Sequence, residues 1–188
     1  MSEDIQRCWG DDDPLMEKYH DEEWGTPVHD DRLLFEHLLL DSFQAGLSWR
    51  TILNKRENFR GAFDNFDPHK IARYTDKDQE RLLGDAGIIR NRLKIKAAIS
   101  NAVATMEIIE EFGSFDAYLW SFTGNKTLHG SRATKWQDLR TTSEESDAMS
   151  KDLKARGFKF VGTTICYAFM QAVGMVDDHM LGCFKYKR

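Results

Sequence analysis

No apolar run in these 188 residues approaches the roughly 20 residues of a membrane span. The opening MSEDIQRCWG lacks the apolar stretch of a signal peptide. Cysteine is scarce: three residues, an odd number, argue against a disulfide scaffold and for a reducing compartment. A basic excess is missing as well. The net charge of −5 speaks against non-specific nucleic-acid binding by bulk charge, and leaves room only for a local basic face. Sustained strand alternation, internal repeats and low-complexity tracts are absent, and so is a glycine-rich nucleotide loop. The expectation is a cytoplasmic, all-α protein with no nucleotide or redox cofactor and no membrane partner.

What is present is an ordinary globular composition, 41% hydrophobic and 30% charged, long enough for one domain with a real core. Charge is uneven. Residues 1–41 hold thirteen acids against three bases, whereas residues 151–188 hold seven bases against three acids. Arg90, Arg92, Lys94 and Lys96 form a basic run, either a face for a polyanion or a solvated helix surface.

Start signals predict a series of helices. Asp13-Pro14 pairs an N-cap with proline at the first helical position, and Asp67-Pro68 repeats the device. Asp30 or Asp31 caps a segment that is apolar on most sides and ends near Asp41. A helix over 49–63 follows, then a capping box at Thr75/Asp78 and a long helix from Ile88 to about Glu110. Residues 112–122 read as helical. Residues 123–142 read as a connection anchored by Trp136, and Thr142/Glu145 as a second capping box.

Three features carry chemistry. First, Gly157 and Gly162 bracket a turn feeding a helix that starts at Thr163-Thr164, with Lys159 in the turn. Its backbone N–H groups could seat a phosphate, or the segment is only a turn. Second, Cys8 and His20, with His179 and Cys183 spaced i, i+4 like a helical ligand pair, make a Cys2His2 set. That set suits one structural zinc, with His29, His37, His69 and His129 as rival ligands. Third, Asp41 is a carboxylate at the end of a buried run, followed by Gln44-Ala45-Gly46-Leu47-Ser48-Trp49. It either caps a turn or lines a pocket with an indole.

The stretches Arg7-Cys8-Trp9, Asp13-Pro14-Leu15, Tyr19-His20-Asp21, Glu23-Trp24-Gly25, QAGLSW at 44–49, Lys55-Arg56-Glu57-Asn58, Asp85–Arg90 and 156–179 together resemble the bacterial 3-methyladenine DNA glycosylase I family across nearly the whole chain. The resemblance implies a helix-hairpin-helix DNA glycosylase that excises 3-methyladenine from double-stranded alkylated DNA in base-excision repair, without lyase activity and as a monomer. It implies one unit over 1–188. A zinc-bound terminal region comprises 1–31 and 174–188, and a helical body over 32–173 carries the hairpin at about 158–168. It assigns zinc to Cys8, His20, His179 and Cys183, and the base to Trp9, Tyr19, Asp41 and Trp49. DNA contacts fall to Gly46, Leu47, Lys159, Gly162, Thr163 and Thr164, and catalysis to Asp41, with Asp177 as a second acid. Three positions depart from the family's habit. Asp41 stands where glutamate is usual, a side chain about 1.5 Å shorter. Met16 replaces a frequent tyrosine, and Asp177 replaces a common asparagine; Phe160 occupies a hairpin position that is glycine in a generic hairpin but phenylalanine as this family usually has it. Asp177 then either stabilises the sugar cation, or caps the turn or orients His179.

Overall fold

The computed structural model describes residues 6–10 and 13–186. Among these, nine α-helices account for the architecture: α1 (Pro14–Glu22), α2 (Asp31–Gln44), α3 (Trp49–Ala62), α4 (Pro68–Ile71), α5 (Asp76–Gly84), α6 (Arg92–Phe112), α7 (Phe115–Ser121), α8 (Glu144–Ala155) and α9 (Thr163–Ala172). Two two-residue strands, β1 (Leu128–His129) and β2 (Val176–Asp177), pair in parallel, Leu128 opposite Val176. They are a small addition to the expected all-helical class.

Capping chemistry sets most helix starts. Asp13 accepts from Leu15 N and Met16 N ahead of Pro14, Asp30 caps α2, Asp67 caps α4, and the Thr75/Asp78 capping box opens α5. Two predicted boundaries move. The long helix begins at Arg92, four residues later than expected, because Asn91 accepts from Leu93 N and Lys94 N. The second capping box lies one residue further on, at Ser143/Ser146. Gly113 closes α6 in the left-handed conformation, and Ser114 opens α7 immediately after it.

α2 is the central element. Every residue from 34 to 43 is buried, because the helix packs against α3, α6, α7 and α9 at once. Asp41 therefore does not end the run; it lies inside the helix. α2 also carries Glu36 into the interior. Arg56 Nε at 2.6 Å and Arg60 Nη2 at 2.8 Å neutralise it, and Arg56 also reaches Glu23 at 2.6 Å. Burial works against the Glu36 carboxylate, but Arg56 and Arg60 hold its pKa below the usual range. This cluster ties the end of α1 to α2 and α3.

α8 and α9 pack as a hairpin. In the turn between them, Phe158 is buried and stacks on Phe115, while the Asn101 side chain holds the Lys159 backbone from both sides. Lys159 N donates to Asn101 Oδ1 at 2.8 Å, and Asn101 Nδ2 donates to Lys159 O at 3.1 Å. Ser150 Oγ donates to Val161 O at 2.7 Å. These bonds over-determine the turn and hold Phe160 at φ 56°, a left-handed conformation that disfavours side chains.

Candidate active site

Apart from the main core there is a second apolar cluster of Tyr19, Trp24 and Leu53, against which Cys8, Trp9, Met16 and Trp49 pack. It walls a cavity of about 270 Å³ between α1, the C-terminal half of α2, the start of α3 and α9. Trp9, Tyr19, Asp41 and Trp49, the four expected base-binding residues, all line it, and Met16 joins them. Sequence reasoning missed Trp24, Gln44, Trp136, Ala168, Gln171 and Ala172. The α9 residues 168, 171 and 172 follow i, i+3, i+4 spacing, a signal that one helix face was shared. Trp136 had no such signal. Expected as the anchor of the 123–142 connection, it stands 57% exposed at the cavity.

Asp41 is 2% exposed, and its Oδ2 has no hydrogen-bond partner among the described residues. Burial alone raises its pKa well above the usual carboxylate range. Trp9 Nε1 and Trp49 Nε1 are likewise buried without partners. A folded protein ordinarily satisfies such groups. An acid and two indole N–H groups in the walls of one aromatic cavity therefore form a site short of its ligand. The Tyr19 ring lies 5.2 Å from that of Trp49 and 6.0 Å from that of Trp9.

Beside the cavity, the ligand atoms of Cys8, His20 and Cys183 lie within 4.8 Å of one another, a group able to hold a metal ion. His20 Nε2 is 3.3 Å from Cys8 Sγ and 3.4 Å from Cys183 Sγ. The His20 and His179 rings meet edge to face at 5.3 Å. His179 and Cys183 lie in a turn after β2 and not on a helix, contrary to the spacing argument. Each histidine has its Nδ1 engaged by a carboxylate, His20 by Asp21 at 2.8 Å and His179 by Asp177 at 2.7 Å. That arrangement directs Nε2 toward a metal, and His179 Nε2 is buried with no partner among the described residues. The Cys183 thiol falls to about 4, through its contact with Cys8 against the effect of burial. The donor set fits a thiolate- and imidazole-binding cation. Gly25 permits the packing: at φ +72° it lies where a Cβ would come 2.7 Å from His179 Cε1.

Asp177 is therefore not brought to Asp41 and is not among the residues lining the cavity. Its neighbour Asp178, 2% exposed, makes the wider connection. It accepts from Tyr167 Oη at 2.8 Å and Gln171 Nε2 at 2.7 Å on α9, and from Ser131 N at 3.0 Å.

The remaining expected residues lie on the loop after α2, at the start of α6 and around the start of α9. Gly46 and Leu47 form an exposed tip after α2, with Leu47 40% exposed. Lys94, expected in a phosphate-facing run, instead buries its ammonium and donates to Phe43 O at 2.8 Å and Ala45 O at 2.6 Å. It caps the C-terminus of α2 immediately before the tip. Arg90, Arg92 and Lys96 stay exposed. Lys159 is exposed in the hairpin turn, and Gly162 caps α9 with no side chain on the free N–H groups. The Thr163 hydroxyl donates to Asp147 Oδ1 and contacts Ser146 Oγ, whereas Thr164 is exposed.

The comparisons with known proteins agree with this geometry. The family model described as methyladenine glycosylase matches residues 9–186. The chain belongs to the methyladenine glycosylase family. It is 51% identical over 183 residues to DNA-3-methyladenine glycosylase 1 of Escherichia coli strain K12, covering 97% of both chains. A crystal structure of 3-methyladenine DNA glycosylase I superposes with a TM-score of 0.93 at 51% identity, covering 97% of this chain and 100% of that one. A Staphylococcus aureus 3-methyladenine DNA glycosylase I, solved for the structural basis of 3-methyladenine recognition, matches at 37% identity. Its TM-score is 0.92, and 98% of each chain is covered. The methyladenine glycosylase assignment thus rests on the whole chain.

Proposed function

We infer that this protein is a DNA glycosylase of base-excision repair that hydrolyses the N-glycosyl bond of 3-methyladenine. The observation that carries the reading is the aromatic cavity with an unpartnered buried acid, Asp41, in its wall; the Escherichia coli relative bears the corresponding name. Methylation at N3 makes the base cationic. Trp9, Tyr19 and Trp49 bind that charge through their ring faces, at roughly 0.5–2 kcal/mol each when desolvated. Asp41 complements the charge and the exocyclic amino group. Its short side chain leaves space for a bridging water or a base seated deeper than a glutamate would allow.

A cationic purine is already a good leaving group, so the site needs no strong general acid. The protein's share is to unstack the nucleotide, exclude competing bases and place the water. Leu47 at the exposed tip fills the vacated stack. The N–H groups of Gly162, Thr163 and Thr164, with Lys159, hold the backbone at a helix-hairpin-helix element formed by α8, the 156–162 turn and α9. Among the described residues no lysine lines the cavity, which favours hydrolysis without lyase chemistry.

Cys8, His20, His179 and Cys183 would together hold one structural zinc, which supplies a cross-link and no reaction step. Asp177 then acts as the residue orienting His179 in preference to a second catalytic acid. The zinc proposal has its own check. Metal analysis should find about one zinc per chain, and Cys8→Ser should lower both metal content and Tm. A metal-free protein of undiminished Tm would overturn it.

The function is tested by incubating the protein with N-methylated duplex DNA and separating the released bases by chromatography. Release of 3-methyladenine is expected. A folded sample that binds the duplex and releases no base would replace the reading with that of a non-catalytic binder of alkylated DNA. Release of further alkylated bases would make Asp41 and Met16 determinants of a shifted specificity.

A further inference from the structure

A second hollow, of about 320 Å³, adjoins the cavity and shares Gln44, Trp136, Ala168 and Gln171 with it. It runs from the end of α2, next to the Leu47 tip, to Thr164 in the first turn of α9, and Arg140 and Thr141 form its far wall. Both expected DNA-contact elements thus stand at its two ends. Its outer side is the 134–142 segment.

That segment is built as a strap. At one end Ala133 is buried, and its carbonyl accepts from Leu181 N at 3.0 Å. At the other the Ser143/Ser146 capping box fixes the chain to α8. Between them the hydrogen bonds among the described residues are internal, Asp138 N to Lys135 O at 3.1 Å and Leu139 N to Trp136 O at 3.2 Å. Trp136 belongs to neither apolar cluster. Arg132, Lys135 and Arg140 are exposed and make no ion pair among the described residues, and Asp138 is the lone acid from 132 to 140. Tryptophan is ordinarily among the most covered side chains. An exposed indole flanked by unpaired cations, overhanging a cavity mouth, has the chemistry of a stacking platform for a single strand of nucleic acid.

We propose that residues 134–142 clamp the strand that delivers the flipped nucleotide: Trp136 stacks against that nucleotide as it enters, and Arg140 pairs with the phosphodiester beside it in the adjoining groove. The clamp rests on the glycosylase reading for its substrate and makes Trp136 a positioning residue. An acidic protein partner would meet the same cations but would not need the indole at the cavity mouth.

The test compares wild type, Trp136→Ala, Trp136→Phe, Arg140→Gln and the control Lys77→Gln, an exposed cation on α5. Binding to an abasic-site duplex is measured across salt concentrations, and excision from a 3-methyladenine duplex by kcat/KM. Trp136→Ala should lose on the order of tenfold in kcat/KM, and Trp136→Phe should retain most of it. Arg140→Gln should reduce the slope of log K against log salt by about 0.9, with Lys77→Gln unchanged. Tm should hold in all four variants, since the strap has no described hydrogen bond to the body that these changes remove. Wild-type behaviour of both Trp136→Ala and Arg140→Gln would overturn the clamp. A wild type that releases no base, with Arg140→Gln still lowering the salt slope, would overturn the glycosylase reading and keep the clamp.

Discussion

At the scale of single residues the most consequential is Asp41. An ionised carboxylate with no partner among the described residues, set in an apolar wall, destabilises the fold, and burial accordingly raises its pKa. The sign follows from linkage. A carboxyl whose folded pKa lies above its unfolded value contributes stability that is complete below the unfolded pKa and lost as pH rises through the folded one. Asp41→Asn removes the charge and keeps the shape. It should therefore raise Tm at pH 8, with the gain shrinking toward pH 4. The same substitution should lower excision far more than duplex binding, because the ligand's positive charge then meets a neutral amide. Scanning calorimetry at the two pH values checks the first outcome and single-turnover excision the second. Equal losses in excision and binding would remove Asp41 from the pocket chemistry. Wild-type activity should also decline as pH falls through the raised pKa of Asp41.

At the scale of elements, the loop after α2 is held by a residue 49 positions away. Lys94 gives its ammonium to Phe43 O and Ala45 O, and so fixes the direction in which the chain leaves the helix toward Leu47. Lys94→Met keeps the volume and leaves both carbonyls without that donor, at about 1–3 kcal/mol. We expect a lower Tm and a larger loss of excision from duplex than from single-stranded DNA, because only the duplex requires the tip. The ratio of the two rates measures this; equal losses would reduce Lys94 to a structural cap. The residue also marks where sequence reasoning ends. Local signals such as Asp13-Pro14, Asp67-Pro68 and Thr75/Asp78 placed helix starts correctly, because a cap and its helix are neighbours in the chain. Tyr19, Asp41 and Trp49 were legible as pocket residues through their motifs. Lys94 read as one cation of a surface basic run, Arg56 only as part of the 55–58 motif and Trp136 as the anchor of a connection, while Glu36 carried no signal. Each takes its role from partners dozens of residues away, and composition carries no record of such pairings.

At the scale of the molecule, charge decides how DNA can be held. The net charge is −5, and residues 1–41 are strongly acidic. Much of that acid is spent internally: Asp13 and Asp30 on caps, Asp31 on the Phe115 and Asp116 amides, Glu36 and Glu23 on Arg56, and Asp21 on Arg7 and His20. Of the exposed cations free of ion pairs among the described residues, six belong to the segments proposed to meet DNA: Arg90 and Arg92 at the start of α6, Arg132, Lys135 and Arg140 on the strap, and Lys159 in the hairpin. Six charges bound the number of phosphates that these segments can neutralise. At about 0.9 per contact the slope of log K against log salt for duplex binding should be no steeper than about −5. The backbone N–H groups of α9 add hold on a phosphate without releasing further counterions through a side-chain charge. Binding should consequently be modest without a lesion and far tighter with one, since the cavity supplies what the net charge withholds. Titration of an unmodified duplex and of one carrying a non-cleavable 3-methyladenine analogue, between 50 and 200 mM salt, the span over which such contacts are read, checks both statements. A slope steeper than −5 would place DNA on a wider face than these segments. Equal affinity for the two duplexes would mean that the cavity adds nothing to recognition.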